Sequence, residues 1–305
     1  MKFRVLLWVI SCWLVAGRYQ VEANLNIKHV DRNIDLRSQI TKITNKIVLE
    51  NGGKSPVNNF LFALDANQKE HLSFISAHLK EHGKPELKVK QLKTTEYSKT
   101  HPDVLFYSIN LKNPLQADQS VSVDVDVIFT HELTPHPKEI LQKDKQLVKY
   151  TGNLYFYSPY QVTKQTATIT LPSRTIESYT KVKPFTQSDS SIIYGPYDKK
   201  APFSKEELMV HFENNNKFLT VTRLERVIEV SHWGNIAVEE TIELLHTGAL
   251  LKGPFSRYEY TRESKSGPSI QSFDTVLPAS ASDIYYRDDI GNISTSHTRI
   301  KKDSV

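Results

Sequence analysis

Between Ser120 and Val127 apolar and polar residues alternate without a break: Val121, Val123, Val125 and Val127 interleave with Ser120, Ser122, Asp124 and Asp126. A period of two puts one set on each face of an extended strand, which a helix cannot do. Similar runs occupy residues 105–111, 153–157, 166–171, 218–230 and 236–245. They are punctuated by turn-forming clusters such as Lys112-Asn113-Pro114 and Tyr194-Gly195-Pro196. Many short strands with regular turn signals predict a mainly β chain of sandwich-like sheets. With 305 residues, the chain has the length of one large domain or two ordinary ones.

Two segments depart from alternation. Leu72, Ile75 and Leu79 recur at helical spacing between Asp65 and Gly83, with Asp65 or Asn67 available to cap the start and Gly83 to end it. A helix is therefore expected over residues 65–83, and a second short one over 138–147.

An internal echo bears on domain organisation. Val30-Asp31-Arg32-Asn33-Ile34-Asp35-Leu36 resembles Leu224-Glu225-Arg226-Val227-Ile228-Glu229-Val230, and Leu224 stands 194 residues after Val30. That offset is a domain length, although a match this short also arises by chance. It predicts a first β-rich domain over residues 24–220 and the start of a second over 221–305, incomplete at Val305.

The first residues belong to targeting. Lys2 and Arg4 precede an apolar run ending near Ala16, followed by small residues. This is the layout of a secretory signal peptide, and the run falls short of the about 20 apolar residues that a membrane span needs. Cleavage is expected after Ala23, with Gly17 as the other candidate. Residues 1–23 hold Lys2, Arg4, Arg18 and Glu22, so their loss lowers the formal charge from +5 to +3. A charge that small argues against a nucleic-acid partner. The single cysteine, Cys12, leaves with the same segment, which excludes a disulfide, a thiol nucleophile and a cysteine metal site in residues 24–305.

Motifs that suggest chemistry each meet a simpler reading. His131-Glu132-Leu133-Thr134-Pro135-His136 imitates a zinc-protease signature, but the second histidine is at i+5 and Pro135 interrupts the helix that would align the pair. Asp124-Val125-Asp126 matches the acidic pair with which sugar transferases hold a divalent cation, yet both acids sit on the polar side of the alternating strand. Asn51-Gly52-Gly53-Lys54-Ser55 ends like a phosphate loop but has Val48 where the first glycine belongs, and reads as a turn. His78 and His82 would share a helical face and be solvated, and Tyr155 to Tyr160 would be packed aromatics. No catalytic, cofactor or metal residue is assigned. Asn292-Ile293-Ser294 is the one Asn-x-Ser/Thr sequon, and entry into the secretory route would make Asn292 a glycosylation acceptor.

Several longer runs are specific to one family. Tyr155 to Tyr160 (YFYSPY), Glu177 to Lys181 (ESYTK), Arg226 to Glu240 (RVIEVSHWGNIAVEE), His246 to Tyr258 (HTGALLKGPFSRY) and Tyr285 to His297 (YYRDDIGNISTSH) resemble ribophorin I. The resemblance extends from about Asn24 to His297 and is strongest after Tyr155. It implies an accessory, non-catalytic role in the complex that moves a lipid-linked oligosaccharide from dolichyl diphosphate to asparagine in the endoplasmic reticulum. It further implies two lumenal β-rich domains, a membrane span beyond this sequence, and partners among the other oligosaccharyltransferase subunits, the translocon and nascent polypeptides. The other readings are a secreted β-sandwich binding module without catalysis and a metal-dependent sugar transferase using Asp124 and Asp126.

Overall fold

A computed structural model describes residues 25–80, 83, 85–93, 96–262, 267–270, 272, 274–293 and 298–304. The expected signal peptide and its cleavage site at Ala23 lie outside the described residues, as does His82. The chain divides into two compact units, one running to Pro268 and one from Ser269 to Val305.

In chain order the first unit opens with β1 (Leu25–Asp35), β2 (Thr41–Asn51) and β3 (Val57–Leu64). A 3-10 turn over Ala66–Gln68 leads to β4 (Leu72–Leu79), β5 (Glu86–Leu87) and β6 (Val89–Leu92). A second such turn, Glu96–Lys99, precedes β7 (Leu105–Leu115), β8 (Ser120–Phe129), β9 (Leu133–Pro135), β10 (Glu139–Ile140) and β11 (Leu147–Asn153). There follow β12 (Val162–Thr170), β13 (Ile176–Tyr179), β14 (Phe185–Ser188), β15 (Ser191–Lys200) and β16 (Glu207–Glu213). The unit closes with β17 (Leu219–Val230), β18 (Ile236–His246), β19 (Leu250–Leu251) and α1 (Arg257–Arg262). The second unit holds β20 (Tyr286–Arg287), β21 (Asn292–Ile293) and a bridge between Pro278 and Ser304. The chain is mainly β, and no helix among the described residues is long and apolar enough to cross a membrane.

Eight strands form the main sheet in the order β14-β15-β12-β1-β2-β8-β4-β5. Every neighbouring pair is antiparallel except β1 and β12, which run parallel. Its inward residues, among them Val30, Ile34, Ile47, Val125 and Ile169, join one continuous core with Phe60, Phe106 and Ile109 of the β3-β7-β6 sheet. Tyr150, Val210 and Phe212 of the β13-β16-β11-β9 sheet belong to the same core. A sheet with one apolar face is stable only when that face is covered, and these two smaller sheets supply the cover.

The alternating segment 120–127 lies within β8, a central strand between β2 and β4. Residues 105–111, 166–171, 218–230 and 236–245 are strands over most of their length. The helix expected over 65–83 is not formed. Ile75, Ala77 and Leu79 instead alternate inward along β4, opposite Val127, Val125 and Val123 of β8. Of that spacing only Ile75 and Leu79 fit a period of two; a register shift between Leu72 and Phe74 accommodates Leu72, and the ladder offered by β8 overrides the helical spacing. Asp65, expected as a helix cap, takes Lys205 Nζ at 2.8 Å. The helix expected over 138–147 is also replaced. β10 pairs parallel with β19, and Asp144 closes a turn by accepting the Leu141 N–H at 2.9 Å before β11 begins. Neither turn signal ends a strand: Lys112-Asn113-Pro114 lies within β7 and Tyr194-Gly195-Pro196 within β15, where a register shift in the β12 ladder absorbs the glycine.

Candidate functional site

The residues singled out by motif are dispersed by the fold. Asp124 and Asp126 occupy the outward face of β8 in successive rows. Asp124 is opposite Lys46 and His78, and Asp126 accepts the Thr44 hydroxyl at 2.6 Å. His131 bonds the Thr220 hydroxyl at 3.2 Å, whereas His136 uses its carbonyl to accept from His211. His78 lies on a strand and not on a helix. In the Asn51–Ser55 turn the asparagine side chain donates to the Ser55 and Leu115 carbonyls and accepts the Gly53 N–H, which leaves no phosphate cradle open. No group of three His, Cys, Asp or Glu side chains converges as a metal site among the described residues. Asn292 is exposed at the start of β21, beside a turn in which Asp288 accepts the Ile290 and Gly291 N–H groups. Ser294, which completes the sequon, is outside the described residues.

A polar centre that motif reading overlooked lies inside the sandwich. On β1 the inward sequence is Val30, Arg32, Ile34, so a guanidinium is carried into the core and Arg32 is only 8% exposed. Its Nη1 donates to three successive carbonyls, those of Asn153 at 2.7 Å, Leu154 at 3.1 Å and Tyr155 at 3.1 Å. Asn153 ends β11 and the other two open residues 154–161; a strand was expected over 153–157, but the chain leaves the ladder after Asn153. Residues 154–161 form an irregular arch between β11 and β12, with Leu154, Phe156, Tyr157 and Tyr160 buried. A buried arch exposes main-chain acceptors that no ladder satisfies, and the guanidinium satisfies two of them together with the last carbonyl of β11. Gln165 ties the arch as well, accepting the Phe156 N–H and donating to the Leu154 carbonyl, each at 2.8 Å. Tyr160 accepts the Leu61 N–H at 2.9 Å, joining the arch to β3.

Glu132 and Tyr150 complete this centre. Glu132 accepts Gln68 Nε2 at 3.2 Å, while its second oxygen meets no donor among the described residues. Burial pushes its carboxyl above the ordinary range, and the same desolvation raises the Tyr150 phenol and lowers Arg32. Gly152 is required here: a Cβ at that position would come within 2.5 Å of Tyr150 Oη. The signal for this centre was one basic residue at an inward position of an apolar alternation, repeated at Arg226.

Because folding raises the Glu132 pKa, the unfolded chain releases that proton first. The stability contributed is full below the ordinary glutamate range and is lost as pH rises through the raised folded value. Glu132→Gln, neutral throughout, should therefore gain stability relative to the parent chain as pH rises from about 4 to 7. Urea midpoints of both chains across that range measure the trend. Parallel pH profiles would show that Glu132 is not titrating differently in the two states.

An exposed feature is the β17–β18 hairpin, paired from Leu219↔His246 to Val230↔Ile236 with one register shift between Val221 and Arg223. Paired residues share a face, so Leu224, Ile228 and Val230 line up with Ile242, Val238 and Ile236. These six are between 41% and 73% exposed. The opposite face carries Arg223, Glu225, Glu229, Glu239 and Glu243. The ribbon is amphipathic with its apolar side uncovered, and it is rooted where Gln39 exchanges two hydrogen bonds with Leu219.

Comparison with known proteins gives these features a family. Residues 25–305 match the model of the Ribophorin I family. A Caenorhabditis elegans relative, dolichyl-diphosphooligosaccharide–protein glycosyltransferase subunit 1, is 43% identical over 280 residues, which are 91% of this chain and 47% of the relative. Subunit 1B of the same transferase from Arabidopsis thaliana is 40% identical over 295 residues, 95% of this chain and 63% of that protein. The chain thus spans about half to two thirds of the length of these relatives. Native yeast LTA4 hydrolase aligns with 66% of this chain and 30% of its own at 9% identity and a TM-score of 0.37, too distant for any conclusion about this chain. By the family match and by identity across nearly its whole length, the chain belongs to the ribophorin I family.

Proposed function

We propose that this chain is the lumenal β-rich part of an accessory subunit of the oligosaccharyltransferase complex of the endoplasmic reticulum membrane. In this reading it supports the complex and the presentation of nascent polypeptides near the translocon, and another subunit transfers the oligosaccharide. The observation that carries the proposal is the 43% identity, over 91% of the chain, to a protein named as subunit 1 of that transferase. The dispersal of Asp124, Asp126, His131 and His136 over separate contacts supports a non-catalytic role. The domain division proposed with it is a first domain over residues 24–220 and a second that begins near 221.

Affinity capture of the polypeptide from solubilised endoplasmic reticulum membranes should bring down transferase activity together with the other subunits. Asp124→Asn combined with Asp126→Asn should leave the turnover of the captured complex unchanged. Recovery of the protein from the medium, free of those subunits, would overturn the proposal in favour of a secreted binding module. Loss of turnover in a normally assembled double variant would make the acidic pair catalytic.

Asn292 is the expected acceptor of one N-linked glycan, because it is exposed beside the Asp288–Gly291 turn and Ile293 is not proline. Glycosidase treatment of material made through the secretory route should give a single mobility shift, and Asn292→Gln should abolish it. An unchanged shift in the variant would place the glycan elsewhere.

A further inference from the structure

The hairpins β1–β2 and β17–β18 are equivalent in register as well as in sequence. Each ladder is antiparallel and carries one register shift, between Ile27 and His29 in the first and between Val221 and Arg223 in the second. Both shifts stand at the 194-residue offset of the sequence echo. Beyond the shift the facing pairs correspond one by one. Val30↔Ile47 matches Leu224↔Ile242, Arg32↔Asn45 matches Arg226↔Glu240, and Ile34↔Ile43 matches Ile228↔Val238. A bulge fixes which side chains face which way on both sides of it. Sharing the bulge therefore means that Arg226 stands on its ribbon as Arg32 stands on β1.

The two hairpins differ in what covers them. Val30, Ile34, Ile43 and Ile47 are at most 3% exposed, whereas Leu224, Ile228, Val238 and Ile242 are at least 41% exposed. Arg32 donates to the carbonyls of Asn153, Leu154 and Tyr155; among the described residues Arg226 meets only Glu240, at 2.5 Å. Two unpaired edges and an apolar face on a lone two-stranded ribbon require further strands and a covering layer for independent stability.

We propose that the Leu224–Arg226–Ile228–Val230 face is the inward face of the second domain, and that it receives a further β layer of the same polypeptide. An irregular stretch of that layer turns main-chain carbonyls onto Arg226, as residues 153–155 do onto Arg32. This rests on the proposed division near residue 221, and it adds the face, the anchoring residue and the chemistry of the occupant. The occupant is taken from the same polypeptide because β1–β2 is covered by later strands of its own chain, and because the matched relatives are longer than this chain. Glu240 takes the place of Asn45 and sets a carboxylate directly opposite the guanidinium. The pair is neutral when buried, which a buried arginine requires.

The test compares the 305-residue chain with the same chain joined to the part of the C. elegans relative that follows its matched region. Both are treated with an arginine-specific dicarbonyl reagent. Arg32 is the internal reference and should be protected in both. Arg226 should be labelled rapidly in the shorter chain and fall to the Arg32 rate in the joined one. A photo-reactive residue at position 228 of the joined chain should cross-link to the appended segment of its own polypeptide. Cross-links to a second copy, to another subunit or to nascent polypeptide would overturn the proposal. So would equal labelling of Arg226 in both chains while Arg32 stays protected. Neither readout depends on assembly with other subunits, so a failed capture experiment and a failed labelling experiment are distinguishable.

Discussion

Replacing Arg32 with alanine should lower the unfolding free energy of the chain by about 3–5 kcal/mol, the range for removing one partner from a buried charged centre. The loss has two sources. Carbonyls of Asn153, Leu154 and Tyr155 lose their shared donor inside the sandwich, and the raised Glu132 carboxyl loses the cation that favours its charged form. Arg32→Lys should recover only part of the stability, because an ammonium is more strongly hydrated than a guanidinium and costs more to bury at the same place. A nearby outward position provides the control: Asn33 is exposed, and Asn33→Ala should shift stability by no more than about 0.5 kcal/mol. Urea unfolding monitored by far-ultraviolet circular dichroism gives all three values. A loss below about 1 kcal/mol for Arg32→Ala would mean that the arch between β11 and β12 is held by Gln165 and its aromatic packing instead.

The second large effect is expected at Gln146, which is fully buried just before β11, at the root of the exposed hairpin. Its Nε2 donates to the carbonyls of Asn214 at 2.8 Å and Asn216 at 3.3 Å, and its Oε1 accepts the Ala249 N–H at 2.8 Å. Asn214, also fully buried, then reaches the Ser38 carbonyl and accepts the Asn216 N–H. A run of three asparagines that would pass for a loop is therefore a lock between β16, the β1–β2 connection and the segment after β18. Gln146→Leu keeps the approximate volume and removes the three bonds made by the Gln146 side chain. With the Ala249 N–H and the Asn214 carbonyl left in an apolar site, the expected cost is about 3 kcal/mol. Hydrogen exchange supplies the local readout, since protection at Ala249 should fall while Val125 on β8 keeps its rate. Uniform loss at both positions would show that Gln146 contributes to global stability alone. Gly248 belongs to the same lock, because a Cβ there would lie 2.5 Å from Gln146 Oε1. Gly248→Ala should reproduce the effect in weaker form.

The elements readable along the chain are those in which one physical signal is unopposed. Val121 to Val127 alternates strictly, and residues 105–111, 218–230 and 236–245 do so nearly as well; each is a strand over most of its length. The spacing of Leu72, Ile75 and Leu79 is helical, and the strand accommodates it only through a register shift between Leu72 and Phe74. No local feature reports that β8 stands ready to pair with this segment. The arch at residues 154–161 has the aromatic content of a strand, but its carbonyls go to a guanidinium more than a hundred positions away in the chain. The parallel pairing of β1 with β12 has no signature in either strand.

Family membership, the β class, the Asn292 sequon and the echo between residues 30–36 and 224–230 are all written in residue order, because they depend on local identity and spacing. Which of the two echoing arginines is buried is decided elsewhere. Arg32 and Arg226 occupy the same place on register-matched hairpins, yet one lies in the core and the other in solvent. The difference is the covering layer, since desolvation of a charge and the supply of acceptors to it come from contacts that folding brings in from distant parts of the chain.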